Sequence, residues 1–260
     1  MQELSGSVNN NYKLLIKYDG SRFQGWARQP GVEMTIQGKI ETVLKRMLEE
    51  EGVEADYPIN LIASGRTDAG VHALGQVANI HLPTRKSPEE IMSYLNRYLP
   101  DDIAVEELIL ASERFHARYN ARGKTYRYSL YAGSSKPVFD RKYLYVLDER
   151  PDIELMRKAS LVLTGHHDFK AFCANPRMKK STERNVDKIR IEEDGPYIRL
   201  YFHGNGFLQN MVRILTGTIL EAGYGRMSPE RINEVMQSGD RKQAGPTAPP
   251  QGLCLMNVDY

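Results

Sequence analysis

The chain has 260 residues, of which 41% are hydrophobic and 26% charged, and its formal net charge is +2. That length fits one large domain or two of ordinary size, and the composition excludes a disordered, collagen-like or disulfide-scaffolded chain. No apolar run is long enough to cross a bilayer. The opening MQELSGSVNNNYK lacks the apolar core of a signal peptide. Cys173 and Cys254 are too few and too far apart for a disulfide framework or a zinc pattern. A cytoplasmic protein with reduced thiols, no metal and no membrane anchor is expected.

Residues 12–20, YKLLIKYDG, alternate and end in Asp-Gly, which predicts a strand and a turn. SRFQGWARQPG follows as a loop carrying the single tryptophan. TIQGKIETVLKRMLEEE has apolar residues at 36, 40, 43, 44, 47 and 48, a helical spacing with Thr35 placed as N-cap. NLIAS and GQVANIHLP predict strands flanking SGRTDAGVHA. SPEEIMSYLNRYLP opens with a capping box, Ser87 and Glu90, and has Pro88 at the first helical position. DIAVEELILA predicts a strand.

The second half repeats the order. KTYRYSLYAG predicts a strand and DIELMRKASLVLTG a helix stopped by Gly165. VDKIRIEEDGPYIRLYFHG predicts a hairpin with Asp194-Gly195 at its tip. GFLQNMVRILTGTILEAGYG predicts a long amphipathic helix, SPERINEVMQSG a shorter one opened by Ser228, and LCLMNVDY a last strand. Two strand-helix-strand-strand-helix-strand halves predict an α+β protein of two RRM-like, ferredoxin-like domains with antiparallel sheets, at residues 1–113 and 114–260.

The charge is unevenly spread. RFHARYNARGKTYRY, from Arg114 to Tyr128, holds five Arg or Lys and no acid, and residues 177–190 hold six basic residues against Glu183 and Asp187. Basic stretches mixed with aromatics suit a polyanion whose bases stack, and equally a solvated basic face.

Asp68 lies in a glycine-containing turn, where an aspartate ordinarily accepts backbone hydrogen bonds. Its neighbours widen the reading: Arg66 brings a positive charge, Gly65 and Gly70 allow close approach of a substrate, and His72 adds a polar group. Tyr126 and Tyr128 share one strand face, either as core or with a ring turned to a base. Arg213 falls at the edge of a buried helical stripe, either snorkelling or paired with Asp68. In GHHDF, His167 and Asp168 are expected to hydrogen-bond a turn rather than bind metal. A carboxylate hydrolase would need a second acid near Asp68; Glu41 and Asp56, on or beside the first helix, are expected to be solvated.

YDGSRFQGWARQP, TIQGKIE, SGRTDAGVHA, FHARYNARGKTYRY, NGFLQNMVRILTG and APPQGLCL occur in the order found in bacterial tRNA pseudouridine synthases of the TruA family, which the chain resembles over nearly its whole length. APPQGL carries a second proline where the family favours a small residue. The resemblance implies isomerisation of uridine to pseudouridine at positions 38, 39 and 40 of the tRNA anticodon stem-loop. Uracil leaves C1′, turns, and is rejoined through C5. By resemblance Asp68 is the essential acid, its carboxylate attacking C1′ or C6 or taking the C2′ proton. An aspartate with the ordinary pKa of about 4 is ionised for this at neutral pH. Tyr126 would stack on the target uracil and Arg213 pair with the acid. Arg66 would hold the nucleotide out of its stack, and Leu253 line the pocket. Phe115, His116, Arg118, Tyr119 and Arg177, the last in the segment near 173–177, would contact tRNA. Extrusion of the target is required because C1′ and C5 are not reachable together inside a stacked stem. The resemblance also implies a homodimer and no cofactor. A non-catalytic RNA-binding protein is the alternative.

Overall fold

The computed structural model describes residues 9–175 and 177–260. The leader reading over residues 1–8, and Pro176 within the segment near 173–177, lie outside them. The chain forms two compact units, one of residues up to Ala121 joined by Tyr260 and one of Arg122–Asp259.

The first unit runs β1 (Asn9–Tyr18), α1 (Ile36–Glu50), β2 (Ile62–Ala63), β3 (His72–Pro83), α2 (Pro88–Tyr98) and β4 (Ile103–Leu110). Its antiparallel strands lie in the order β4-β1-β3-β2. One face of β1, made by Tyr12, Leu14, Ile16 and Tyr18, is buried, as are Ile40, Leu44, Met47 and Leu48 of α1 and Ile91 and Leu95 of α2. Burying apolar surface at about 25 cal/mol per Å² is what drives this assembly. Both helices begin where the sequence predicts. The Thr35 hydroxyl accepts from Gly38 N, and Ser87 and Glu90 form a complete capping box with Pro88 in the first turn. The strand expected at NLIAS shrinks to two residues.

The second unit runs β5 (Gly123–Tyr131), β6 (Tyr145–Val146), α3 (Ile153–Val162), β7 (Gly165–Asp168), β8 (Glu183–Val186), β9 (Lys188–Asp194), β10 (Tyr197–Gly204), α4 (Met211–Gly223), α5 (Pro229–Ser238) and β11 (Leu253–Asp259). Its main strands lie in the order β11-β5-β10-β9, with β6 parallel to β5 and β7 paired to β8 apart. With β5, β9, β10 and β11 counted as first to fourth, this is the same 4-1-3-2 order as in the first unit. Each unit is thus ferredoxin-like, and the mixed α+β class follows.

Two local readings need correction. The long helix starts at Met211, five residues later than its apolar pattern suggested, because Gly206 takes φ +158° and Asn210 φ +59°, neither of which continues a right-handed helix. GHHD is a short strand rather than a turn, although the expected bonds form: His167 Nε2 lies 3.0 Å from Thr164 O, and Asp168 Oδ1 accepts from Lys170 N and Thr182 Oγ1. The hairpin tip is as read, with Asp194 paired to Tyr197 and Gly195 at φ +56°.

Candidate active site

In the first unit Asp68 sits on the loop between β2 and β3, half-buried, and its backbone is held from both sides. Thr67 Oγ1 lies 2.8 Å from Tyr18 OH, and Thr67 O accepts from Trp26 N at 3.0 Å. Beyond Asp68, Gly70 N donates to Phe23 O at 3.3 Å and Val71 N closes a turn on Asp68 O at 3.2 Å. The partners Phe23 and Trp26 belong to the SRFQGWARQPG loop and are themselves buried. Contact between the two loops depends on missing side chains. A Cβ on Gly20 would meet Val71 O at 2.0 Å, and one on Gly25 would meet Thr67 O at 2.8 Å. Upstream, Ser64 N donates to Val77 O and Ser64 Oγ to Gln76 Oε1, each at 2.8 Å, while Gln76 Nε2 donates to Gly65 O at 3.0 Å.

His72, noted in the sequence as a polar neighbour, is a buried brace: its Nδ1 accepts from Gly20 N at 3.0 Å. Arg66 is exposed. Glu41 is not solvated as expected. It is only 5% exposed, its Oε1 accepting from the Leu61 backbone amide and the Gln37 side chain. Asp56 is exposed as read.

In the second unit Tyr126 and Tyr128 do share a face of β5, and both are buried. Tyr128 is core. Its hydroxyl donates to Pro249 O at 2.6 Å, and burial pushes its pKa upward. Tyr128→Phe is expected to cost about 1–2 kcal/mol in denaturant titrations, since a buried carbonyl loses its donor. Tyr126 keeps 8% exposure and meets Phe207 edge-on, ring centroids 5.3 Å apart. Leu253 opens β11 opposite Tyr128 and is buried. Arg213, in the first turn of α4, is half-buried. Its Nε donates to Ala248 O at 2.7 Å and Nη1 to Asn210 Oδ1 at 3.0 Å. The guanidinium therefore holds the TAPPQG loop that leads into Leu253. Gly217 lets α4 lie against this loop, where a Cβ would stand 1.8 Å from Pro246 O.

The basic aromatic stretch divides by role. Phe115 is half-buried against Tyr260, with Lys13 Nζ 5.6 Å above its ring. His116 stacks on Tyr119 with centroids 4.1 Å apart, and its Nδ1 accepts from the amides of Arg118 and Tyr119. Tyr119 is 77% exposed and Arg118 is exposed beside it, so a fixed aromatic ring faces solvent next to a cation. Arg177 is also exposed, its amide bonded to Asn175 Oδ1.

A half-buried carboxylate on a loop held by backbone hydrogen bonds, in a protein that also presents exposed basic and aromatic side chains, is an arrangement that suits an enzyme acting on a nucleic acid. The family model described as tRNA pseudouridine synthase matches residues 14–120 and 159–260. A protein of Bacillus sp. (strain KSM-64) named tRNA pseudouridine synthase A is 45% identical over 251 residues, covering 96% of this chain and 100% of the relative. Proteins named tRNA pseudouridine synthase A 2 from Clostridium perfringens and Bacillus cereus are 41% and 40% identical, each across 96% of this chain and 99% and 100% of their own length. The chain belongs to the tRNA pseudouridine synthase family, in the TruA branch. It is an isomerase of tRNA uridine, and the reading as a non-catalytic RNA-binding protein is not favoured. No helix among the described residues is long and apolar enough to cross a membrane.

Proposed function

We propose that the enzyme isomerises uridines 38, 39 and 40 of the tRNA anticodon stem-loop with Asp68 as its essential acid. The observation that carries this reading is the clamped loop: the backbone on both sides of Asp68 is bonded to buried partners, so the segment that carries the carboxylate is fixed. Holding a reacting group in place is a large part of catalysis, worth up to about 7–11 kcal/mol when the geometry is ideal. Tyr126 stacks on the target uracil, supported by its residual exposure and its edge contact with Phe207. Arg66 holds the extruded nucleotide, and Arg213 and Leu253 take the catalytic and substrate-binding roles that the family resemblance gives them. The enzyme works in the cytoplasm as a homodimer without a cofactor. Incubation with an unmodified tRNA transcript followed by pseudouridine mapping tests the site of action. Product at positions 38–40 is expected, and product only outside the anticodon arm overturns the assignment.

Phe115, His116, Arg118, Tyr119 and Arg177 supply contacts that offset the cost of extrusion, a few kcal/mol. Tyr119→Ala is expected to weaken tRNA binding by about 1–3 kcal/mol with an unchanged salt slope, as for loss of a stacked base. Arg118→Ala is expected to weaken binding and reduce the salt slope by about 1. Filter binding across salt concentrations separates the two; equal slopes for Arg118→Ala and the parent would place that guanidinium off the RNA path.

A further inference from the structure

The buried Glu41 has no role in the reading above, yet taking a carboxylate out of water is costly unless its charge is answered. It stands on α1 one turn after Gln37. Glu41 Oε1 accepts from Gln37 Nε2 at 2.8 Å and from Leu61 N at 3.2 Å, while Gln37 Nε2 also donates to Leu61 O at 3.3 Å. Both backbone groups of Leu61 are therefore gripped by side chains of α1, just before the chain enters β2 and the Asp68 loop. The other side of that loop is tied to the same helical turn. Gln37 N donates to Trp26 O at 3.0 Å, and Trp26 N donates to Thr67 O at 3.0 Å. Arg28 completes the cluster, its amide on Gln37 Oε1 at 3.1 Å and its Nη1 3.5 Å from Glu41 Oε2.

We propose that Gln37 and Glu41 are positioning residues for Asp68, fixing the loop's entry through Leu61 and its flank through Trp26. This rests on the reading of Asp68 as the essential acid. An apolar side chain at 41 would relieve the burial of charge but leave Leu61 N without its acceptor, so the chain folds while the loop loses its register. A displacement of about 1 Å at a reacting group can cost 100-fold in rate. Substrate affinity, which the exposed cations and rings elsewhere supply, is left alone.

The test uses the whole protein and an unmodified tRNA transcript, with Glu41→Leu, Glu41→Gln, Gln37→Leu and Asp68→Asn beside the parent. Single-turnover rates at saturating tRNA are compared with the dissociation constant from filter binding. Glu41→Leu is expected to lower the rate about 10- to 100-fold with affinity within twofold. Glu41→Gln, which keeps an acceptor for Leu61 N, is expected to recover most of the rate. Amide exchange over residues 61–71 is expected to quicken in the leucine variant and not in the glutamine one. A rate within twofold of the parent overturns the proposal, as does a fall in rate and affinity together. If Glu41→Leu does not fold, Gln37→Leu carries the same expectation and the same refutation. An active Asp68→Asn protein would overturn the reading of Asp68 and this proposal with it. An inactive one beside fully active Glu41→Leu and Gln37→Leu proteins overturns this proposal alone.

Discussion

Asp68→Asn is expected to abolish pseudouridine formation, by at least about 1,000-fold, while tRNA affinity stays within a few-fold of the parent. Asparagine has nearly the same shape, and the turn closed by Val71 N on the carbonyl of residue 68 is a backbone bond that the substitution does not touch. What is lost is the negative oxygen. Attack on C1′, attack on C6 and removal of the C2′ proton each require an electron pair on an anionic carboxylate, and a neutral amide supplies none of them. The measurement is pseudouridine mapped on an unmodified transcript over time, with binding measured in parallel. Equal rates for the two proteins would remove Asp68 from the chemistry. Loss of binding together with activity would assign it to holding RNA.

Gly25→Ala is expected to lower stability by about 2–5 kcal/mol, from a backbone penalty of about 1–2 and overpacking of about 1–3. Gly25 has φ +97°, and its new methyl group would stand 2.8 Å from Thr67 O and 3.2 Å from both Asp68 C and Ala69 N. Those atoms are backbone, so the clash can be relieved only by moving the loop that carries the acid. Activity should therefore fall more than stability alone explains, by about 10-fold or more where the protein is still fully folded. Gly31 is the control: it also has positive φ, +73°, but nothing lies within 4 Å of a Cβ built there. Gly31→Ala should carry the conformational cost and leave the rate unchanged. Urea titrations and single-turnover rates of both variants decide the matter; equal rate losses would mean that contact with the Asp68 loop is irrelevant.

Much of this architecture was readable from residue patterns because it is set by local chemistry. Thr35, Ser87 and Ser228 each cap the helix expected of them, since a hydroxyl before an apolar period finds the free amides of the first turn. The repeat of element order was visible too, although the 4-1-3-2 arrangement of strands is a matter of long-range pairing. Helix α4 was drawn too long because the apolar pattern continues through residues whose backbone is not helical. Asp68 stood out as an acid among glycines; the loop that clamps it did not, for backbone bonds such as Trp26 N to Thr67 O leave no trace in side-chain type. Glu41 was misjudged for a related reason. An acid on a helix is ordinarily wet, but position 41 lies three residues before Leu44 and seven before Leu48, inside the apolar stripe, and that placement was the available signal.

Tyr260 joins the unit formed by the first 121 residues, its hydroxyl donating to Ala117 O at 2.7 Å and its ring 5.1 Å from that of Phe115. The polypeptide therefore leaves that unit at Arg122 and comes back to it at Tyr260. On the ribosome, where leading domains ordinarily fold as they emerge, the unit ending at Ala121 must wait for the whole of Arg122–Asp259 to be made before the aromatic neighbour Tyr260 arrives. A fragment ending at Ala121 would expose the ring of Phe115 and strand the carbonyl of Ala117, making the seam between the units a poor place to cut.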